Sequence, residues 1–143
     1  LLKLTQQLVG ARGIDEIARI AVAHLSGFFG TSVCIYVSEN EQALPAGPHP
    51  ASSYRPGEKE FGVASWVFQN RQAAGKFTQT LAGVDAQFLP VSMGPDVFGV
   101  IGIDLAGLQT LSFQQETLLN GAVQQITTAI ERVRLIDGKA AQL

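Results

Sequence analysis

The stretch that most constrains the fold is the run "FLPVSMGPDVFGVIGIDL" at residues 88–105. Two apolar segments flank a Gly-Pro-Asp turn, which predicts an antiparallel β-hairpin. Because both segments are apolar almost throughout, we expect other parts of the chain to cover both faces of the hairpin. Pro90 lacks an N–H donor, so we expect a β-bulge or the start of strand pairing there. Gly99 and Gly102 have no side chain, which allows another backbone or a helix to approach closely.

Helical patterns lie on both sides of this hairpin. Residues 1–29 predict two N-terminal helices, the second of which has Asp15 as its N-cap. Residues 112–137 predict a long C-terminal helix that opens with a capping box formed by Ser112 and Gln115. Apolar residues follow one another along this helix at intervals of three and four, so we expect a continuous apolar seam.

The segment 31–104 is expected to form the sheet. The β-branched run at 31–38 predicts a strand, and the proline-rich segment after it predicts a loop with a short edge strand near Ala51–Tyr54. Helical spacing returns at 58–71, within a segment, 55–85, that we expect to cover the sheet. The order of elements predicts an α+β fold. Its central antiparallel sheet carries the terminal helices on one face and irregular segments with a short helix on the other.

Composition excludes several classes of protein. The net charge of -2 comes without a cluster of basic residues, which argues against a nucleic-acid partner. No apolar run approaches the roughly 20 residues that a transmembrane helix needs, so we expect no direct membrane insertion by this segment. The single cysteine, Cys34, permits neither an intrachain disulfide nor a cysteine-rich zinc site. Leu1 stands where a methionine would begin a complete protein, so we expect a domain from a longer chain.

The hairpin and the C-terminal helix together resemble the second half of a GAF domain. That family shows a Leu-Pro strand, a turn, a Gly-Val-hydrophobic-Gly strand, and a helix that ends in alternating Ala/Ile and Arg, as in "LSFQQETLLNGAVQQITTAIERVRL". The middle, "ASWVFQNRQAAGKFTQTLAGVDAQFLPV", is similar to KdpD-type sensor histidine kinases, where a Trp-Val pair, an Ala-Gly and a Thr-x-Thr-Leu precede the Leu-Pro strand. The resemblance covers essentially the whole chain.

The resemblance implies a single GAF domain over residues 1–143, in the cytoplasmic part of a bacterial inner-membrane receptor that responds to potassium or osmotic conditions. Such a domain lies between membrane helices and the dimerisation and kinase modules of a two-component system. It would be regulatory and non-catalytic, and it would couple a signal to the kinase through its terminal helices as a homodimer. The alternative is that the helical seam only covers the domain's own sheet. The seam residues are Leu1, Leu4, Leu8, Leu119, Val123, Ile126, Ile130 and Val133.

Catalytic chemistry is not predicted for this chain. His24 and His49 are interpreted as structural residues, and Cys34, in mid-strand, as a small buried hydrophobe. GAF-type reductases need several cysteines, and the residues expected for bilin, cyclic-nucleotide or haem binding are not found, so we expect no cofactor and no metal. Two alternatives stay open: a GAF domain of another receptor or transcription activator, and a degenerate GAF-type reductase or amidase-like domain.

A small organic ligand could bind between the sheet and the covering segment 55–85, which is where members of the family hold their ligands. Aromatic walls with a few hydroxyl groups suit such a ligand. The alternative is that these aromatic residues close a vestigial cavity. The candidate residues are Tyr36, Trp66, Phe77, Thr78, Thr80 and Phe88.

Overall fold

The computed structural model describes residues 2–39 and 42–142, with side chains described as far as residue 137. Within these residues, four helices and four strands form an α+β arrangement, which confirms the predicted fold class. In chain order the elements are α1 (Leu2–Val9), α2 (Ile14–Phe29), β1 (Val33–Val37), α3 (Glu58–Asn70), β2 (Ala74–Gly75), β3 (Ala86–Met93), β4 (Asp96–Asp104) and α4 (Phe113–Gln142).

The four strands form one antiparallel sheet in the order β1-β4-β3-β2. Helices α1, α2 and α4 cover one face, which we call the helical face, and α3 covers the other, which we call the α3 face. Leu89 and Ile101 of the hairpin belong to the apolar core of the helical face, and Phe88 and Val100 belong to that of the α3 face. The hairpin is therefore apolar on both sides because a helical layer covers each of them.

Pro90 is not a point where pairing begins or slips, so this prediction was wrong. It pairs with Val100 in a regular ladder that begins at Ala86. The carbonyl of Ala86 accepts a hydrogen bond from Lys76 N, so its backbone groups point away from β4, towards β2. Backbone groups two and four residues along a strand point the same way, and therefore the nitrogen of Pro90 also faces the outer edge. β2 is too short to reach it, so the missing donor costs no ladder bond.

The irregularity lies beyond Pro90 and belongs to the opposite strand. Val91 pairs with Gly99, whereas the next residue, Ser92, pairs with Val97. Phe98 is therefore an extra residue of β4 and forms a β-bulge. The bulge turns Phe98 into the core of the helical face, although the alternation along β4 alone would not place it there.

The two hairpin glycines allow close approach, as the sequence predicts. A Cβ atom on Gly99 would overlap the carbonyl oxygen of Tyr36 in the neighbouring strand β1. A Cβ atom on Gly102 would lie 2.8 Å from Cys34 Sγ and even closer to the ring of Phe88. The first glycine therefore admits a backbone and the second admits an aromatic ring.

The prediction that Asp15 caps α2 was wrong. Gly13, in an extended conformation, occupies the N-cap position and gives no side-chain hydrogen bond. Asp15 lies inside the first turn together with Glu16, where their negative charges interact favourably with the helix dipole. Glu16 also accepts a hydrogen bond from Arg12 N at 3.1 Å, which stabilises the start of the helix in the absence of a capping side chain.

No strand forms at the predicted position near Ala51–Tyr54. The loop there still provides hydrogen-bond partners for the backbone groups at the outer edge of β1. The hydroxyl groups of Ser53 and Ser52 accept hydrogen bonds from Val33 N at 2.8 Å and Ile35 N at 2.9 Å. Backbone amides of the same loop donate to the carbonyl groups of Val33 and Ile35. Side chains thus replace part of a strand ladder.

The capping box at the start of α4 is confirmed. Gln115 N donates to Ser112 Oγ at 3.0 Å, and Ser112 N donates to Gln115 Oε1 at 2.9 Å. The helix runs on to Gln142 and has 30 residues, so it ends beyond the predicted boundary at 137.

Candidate functional site

The six predicted pocket residues do not line one common cavity. Tyr36 and Phe88 are 1% and 0% exposed and belong to the core of the α3 face, where the ring of Phe61 lies 5.8 Å from that of Tyr36. Trp66 packs on the rim of the same core and lines a groove of about 340 Å³ between α3 and residues 81–84. Side chains therefore occupy the space in which the sequence places a ligand.

Phe77, Thr78 and Thr80 lie in the turn that follows β2. Thr78 Oγ1 donates to the carbonyl groups of Gly75 and Thr80, at 2.8 and 2.9 Å. Phe77 has a φ of 66°, in the left-handed region, and its side chain stays partly exposed. Phe77 and Thr78 line a different cavity, on the helical face, so the turn carries them to the opposite side of the sheet from Tyr36.

Cys34 lies in the core of the α3 face and is fully buried. Burial raises the pKa of its thiol to about 11, so the thiol is protonated and weakly nucleophilic at neutral pH. The hydroxyl of Tyr54 lies beside it but makes no hydrogen bond of normal geometry, and burial raises the pKa of Tyr54 far above its usual range. Burial also raises the pKa of Tyr36, to about 12.

Both histidines have structural surroundings. His49 Nδ1 accepts a hydrogen bond from Ala51 N at 3.0 Å, which leaves Nε2 to donate to Asp15 Oδ1 at 2.7 Å. His49 thereby ties the loop before α3 to the first turn of α2. His24 is partly buried, and burial lowers its pKa. Within the part of the chain that the structure describes, no cluster of His, Cys, Asp or Glu could hold a metal ion.

The apolar seam of the terminal helices faces the chain's own core. The described seam residues are all buried in the core of the helical face, so they cannot also form an exposed intermolecular surface. They are Leu4, Leu8, Leu119, Val123, Ile126, Ile130 and Val133. Leu1 lies outside the described residues. These positions therefore belong to the chain's own core, in which α1 packs on α2 and α4, and α4 also packs on the sheet.

The exposed side of the same helices forms a groove of about 400 Å³ between α1 and α4. Thr5 Oγ1 donates to Gln125 Oε1 at 2.6 Å, and Arg132 Nη2 donates to the carbonyl of Leu8 at 2.9 Å. From Thr5 to Leu8 on α1, the partner on α4 moves from Gln125 to Arg132. Residue numbers therefore increase in the same direction along both helices, which run parallel. Exposed apolar side chains lie on both helices, namely Leu2, Val9, Leu135 and Ile136.

Arg134, which the sequence did not single out, joins α4 to the sheet. Its guanidinium group donates to the carbonyl of Ser38, directly after β1, and lies 5.5 Å from the ring centroid of Phe98. Ser38 N in turn donates to the carbonyl of Phe98 at 2.8 Å. We call these three residues the Arg134 anchor. It depends on the bulge that turns Phe98 towards α4, and no local sequence pattern reveals this.

The helical face also holds a cavity of about 460 Å³ beside the first two turns of α4. Leu89 of β3, the ring of Phe77, and Glu116 and Asn120 of α4 are among its walls. Gln87 of β3 lines it as well, although it is only 6% exposed. The only sequence signal for Gln87 is a polar residue within an apolar strand.

Among the described residues, no helix combines the length and the hydropathy needed to cross a bilayer.

Comparison with known proteins finds relatives that share one name, the sensor protein KdpD. No protein-family model matches the chain. The sensor protein KdpD of Escherichia coli K12 is 25% identical over 136 residues, which are 94% of this chain and 15% of that protein. The sensor protein KdpD of Clostridium acetobutylicum is 23% identical over 133 residues, 88% of this chain and 15% of that protein. The chain thus spans 15% of the length of these two relatives.

The fold agrees with that of a solved domain from one of these sensor proteins. The crystal structure of the native GAF domain of the potassium sensor histidine kinase KdpD from Escherichia coli superposes with a TM-score of 0.83. The two sequences are 22% identical, and the superposition covers 97% of this chain and 96% of that one. The chain therefore has the fold of a GAF domain, and its sequence is similar to KdpD sensor proteins along nearly its whole length, which supports a GAF domain of the KdpD type.

Proposed function

We propose that this chain is the regulatory domain of a bacterial sensor histidine kinase and that it passes a signal to the kinase module through α1 and α4. The observation that carries this proposal is the similarity to two KdpD sensor proteins over 94% and 88% of the chain. In this proposal the parent is an inner-membrane receptor for potassium or osmotic conditions, and the domain lies in its cytoplasmic part. Kinase chemistry belongs to the remainder of the parent.

The Arg134 anchor supports a mechanical role for α4. The first turns of α4 pack on the sheet, and Arg134, five turns further along, is bonded to Ser38. A displacement at the end of β1 or at the bulge of β4 would therefore pull directly on the last part of α4. Helix shifts of this kind are a common way to transmit a signal between modules.

The groove between α1 and α4 supports a homodimer through the terminal helices. The seam residues are occupied by the chain's own core, so the proposed contact uses the outer side of the helices. Val9 of α1 lines this groove, and Val9, Leu2, Leu135 and Ile136 each expose 60–73% of their surface on the two helices. Apolar side chains near both helix ends are what a parallel bundle of two copies would bury.

Regulation is favoured over catalysis by the state of Cys34. A reductase mechanism needs an accessible thiolate and a second thiol, whereas Cys34 is fully buried, has a raised pKa and is the single cysteine of the chain. A GAF domain of another receptor or of a transcription activator would share the fold. The sequence similarity favours the KdpD-type kinase over these.

Insertion of alanines after Asp137 in the full-length parent receptor tests the proposal. One alanine rotates the following module by about 100°, whereas seven alanines restore the helical phase to within about 20°. We expect one alanine to change the rate of autophosphorylation from labelled ATP by about fivefold or more. Seven alanines should leave the rate near that of the unmodified receptor. Equal, unchanged rates for both insertions would contradict transmission through α4.

A further inference from the structure

The cavity beside the start of α4 has the size and the walls of a small-ligand site. Its volume of about 460 Å³ falls within the usual range for such sites, roughly 300–1,000 Å³. Leu89 forms an apolar floor and the partly exposed ring of Phe77 forms an apolar wall. It lies on the opposite face of the sheet from the core that contains Tyr36 and Phe88.

Gln87 supplies a polar group at the buried end of this cavity. Its side chain is 94% buried, and Nε2 donates to the carbonyl of Lys76 at 2.9 Å. Its carbonyl oxygen, Oε1, makes no hydrogen bond to the described residues and is not one of the fully buried atoms that lack a partner, so it opens onto the cavity. An acceptor that opens onto a cavity can bond water when the cavity is empty, or a donor of a molecule that replaces the water. The open acceptor therefore favours an occupant that carries a donor.

Hydrogen bonds within the chain hold the turn after β2, which carries the wall residue Phe77. Thr78 Oγ1 bonds two carbonyl groups of the turn, and Lys76 Nζ donates to the carbonyl groups of Leu105 and Leu108 at 2.7 and 2.9 Å. These bonds hold Phe77 at the cavity without help from a ligand. A preformed wall lowers the ordering cost of binding.

Charge selects the kind of ligand. The ammonium group of Lys76 lies 5.2 Å from the ring centroid of Phe77 on one side, and the carboxylate of Glu116 lines the cavity on the other. The first disfavours a cation beside the ring, and the second disfavours an anion beside α4. An uncharged molecule meets neither repulsion.

We propose that this cavity binds a small, uncharged organic molecule with a planar apolar body and an N–H donor, such as a carboxamide. The donor bonds Gln87 Oε1, and the planar body lies against Phe77 and Leu89. Because Glu116 and Asn120 belong to the first two turns of α4, the occupied cavity joins β3 to the output helix. Binding itself stands without the proposed function. Its effect on a kinase rests on that function.

Two probes that differ only in their donors test the binding step. Benzamide carries an N–H donor, whereas N,N-dimethylbenzamide keeps the ring and the carbonyl group but has no N–H. In a ¹H–¹⁵N NMR titration of the 143-residue chain, we expect benzamide to shift the side-chain amide of Gln87 and the backbone amides of Phe77, Leu89 and Asn120. The dissociation constant should be on the order of 1 mM. The dimethyl compound should bind about tenfold more weakly.

Substitutions at the cavity test whether benzamide binds there. Gln87→Leu should weaken benzamide binding by about tenfold, whereas the matched change Gln114→Leu on the exposed side of α4 should leave it unchanged. Because Gln87→Leu also removes the bond to Lys76, Asn120→Trp serves as a second variant that fills the cavity from an exposed position. It should abolish the shifts even if the first variant fails to fold.

Three outcomes would overturn the proposal: no saturable shift, shifts confined to residues around Tyr36 and Phe88, or unchanged binding in Asn120→Trp. Autophosphorylation of the parent receptor with benzamide is a separate readout. If benzamide binds at Gln87 but kinase activity does not respond, the site stands and its coupling to the proposed function fails. If benzamide does not bind, the alanine insertions still test that function on their own.

Discussion

The two faces of the sheet differ in a way that reverses the expectation from sequence. The α3 face, where aromatic residues and hydroxyl groups predict a ligand pocket, is packed with Tyr36, Phe88 and other buried side chains. The helical face, where apolar spacing predicts only a core and a seam, holds the cavity at Gln87 and the Arg134 anchor. The comparison teaches that apolar periodicity locates a core reliably, whereas a site depends on where that core is interrupted.

The largest expected effect tests whether the α3 face is a sealed core. Phe88→Ala removes a fully buried ring that packs against Gly102, so the free energy of unfolding should fall by about 3–5 kcal/mol. Urea denaturation followed by circular dichroism measures this loss. The matched change Phe113→Ala, at a residue that is 83% exposed, should cost less than about 0.5 kcal/mol. A loss below about 1 kcal/mol for Phe88→Ala would mean that the α3 face is loosely packed and able to admit a ligand.

A smaller effect concerns the pH dependence of the same face. Burial raises the pKa of Cys34 to about 11, whereas an unfolded thiol ionises near pH 8.5. Below pH 8.5 the thiol is neutral in both states, and its contribution to stability is complete. As the pH rises towards 11 the unfolded chain ionises first, so the free energy of unfolding should fall, by on the order of 2 kcal/mol.

Comparison with Cys34→Ala isolates the thiol, because Tyr36, whose pKa is raised to about 12, remains in both proteins. The variant should lose less stability than the native chain when urea denaturation is repeated from pH 8 to pH 11. Parallel pH profiles for the two proteins would show that the thiol is not buried in its neutral form.

The smallest effect tests the Arg134 anchor of the helical face. Arg134→Met keeps an unbranched apolar stem but removes the guanidinium group, and with it the hydrogen bond to Ser38 and the cation–π contact with the ring of Phe98. We expect a loss of about 1 kcal/mol in the free energy of unfolding, measured by thermal denaturation. The matched change Arg19→Met, on the exposed side of α2, should change stability by less than about 0.5 kcal/mol. Equal effects of the two changes would show that the anchor adds no stability.

Local patterns predicted what depends on neighbouring residues in the sequence. The capping box of Ser112 and Gln115, the hairpin at 88–105 and the face of each core residue in β3 follow from spacing and from side-chain chemistry. The α+β class follows from the order of these elements.

Features that depend on distant parts of the chain were missed. The effect of Pro90 depends on the length of β2, which decides whether a partner reaches its nitrogen. Phe77 and Thr78 reach the helical face because Phe77, in the turn after β2, adopts a left-handed backbone conformation. A phenylalanine gives no sequence signal of that conformation. Arg134 meets Phe98 only because a bulge in β4 reverses the side of the strand on which that ring lies.

The serine pair at the outer edge of β1 has a consequence for how copies of this chain behave at high concentration. An open strand edge can recruit a strand from another molecule and start aggregation. Ser52 and Ser53 occupy two of the donors that such a strand would need, and they do so with hydroxyl groups on a loop that is not itself a strand. A strand of a second copy would thus find this edge already occupied.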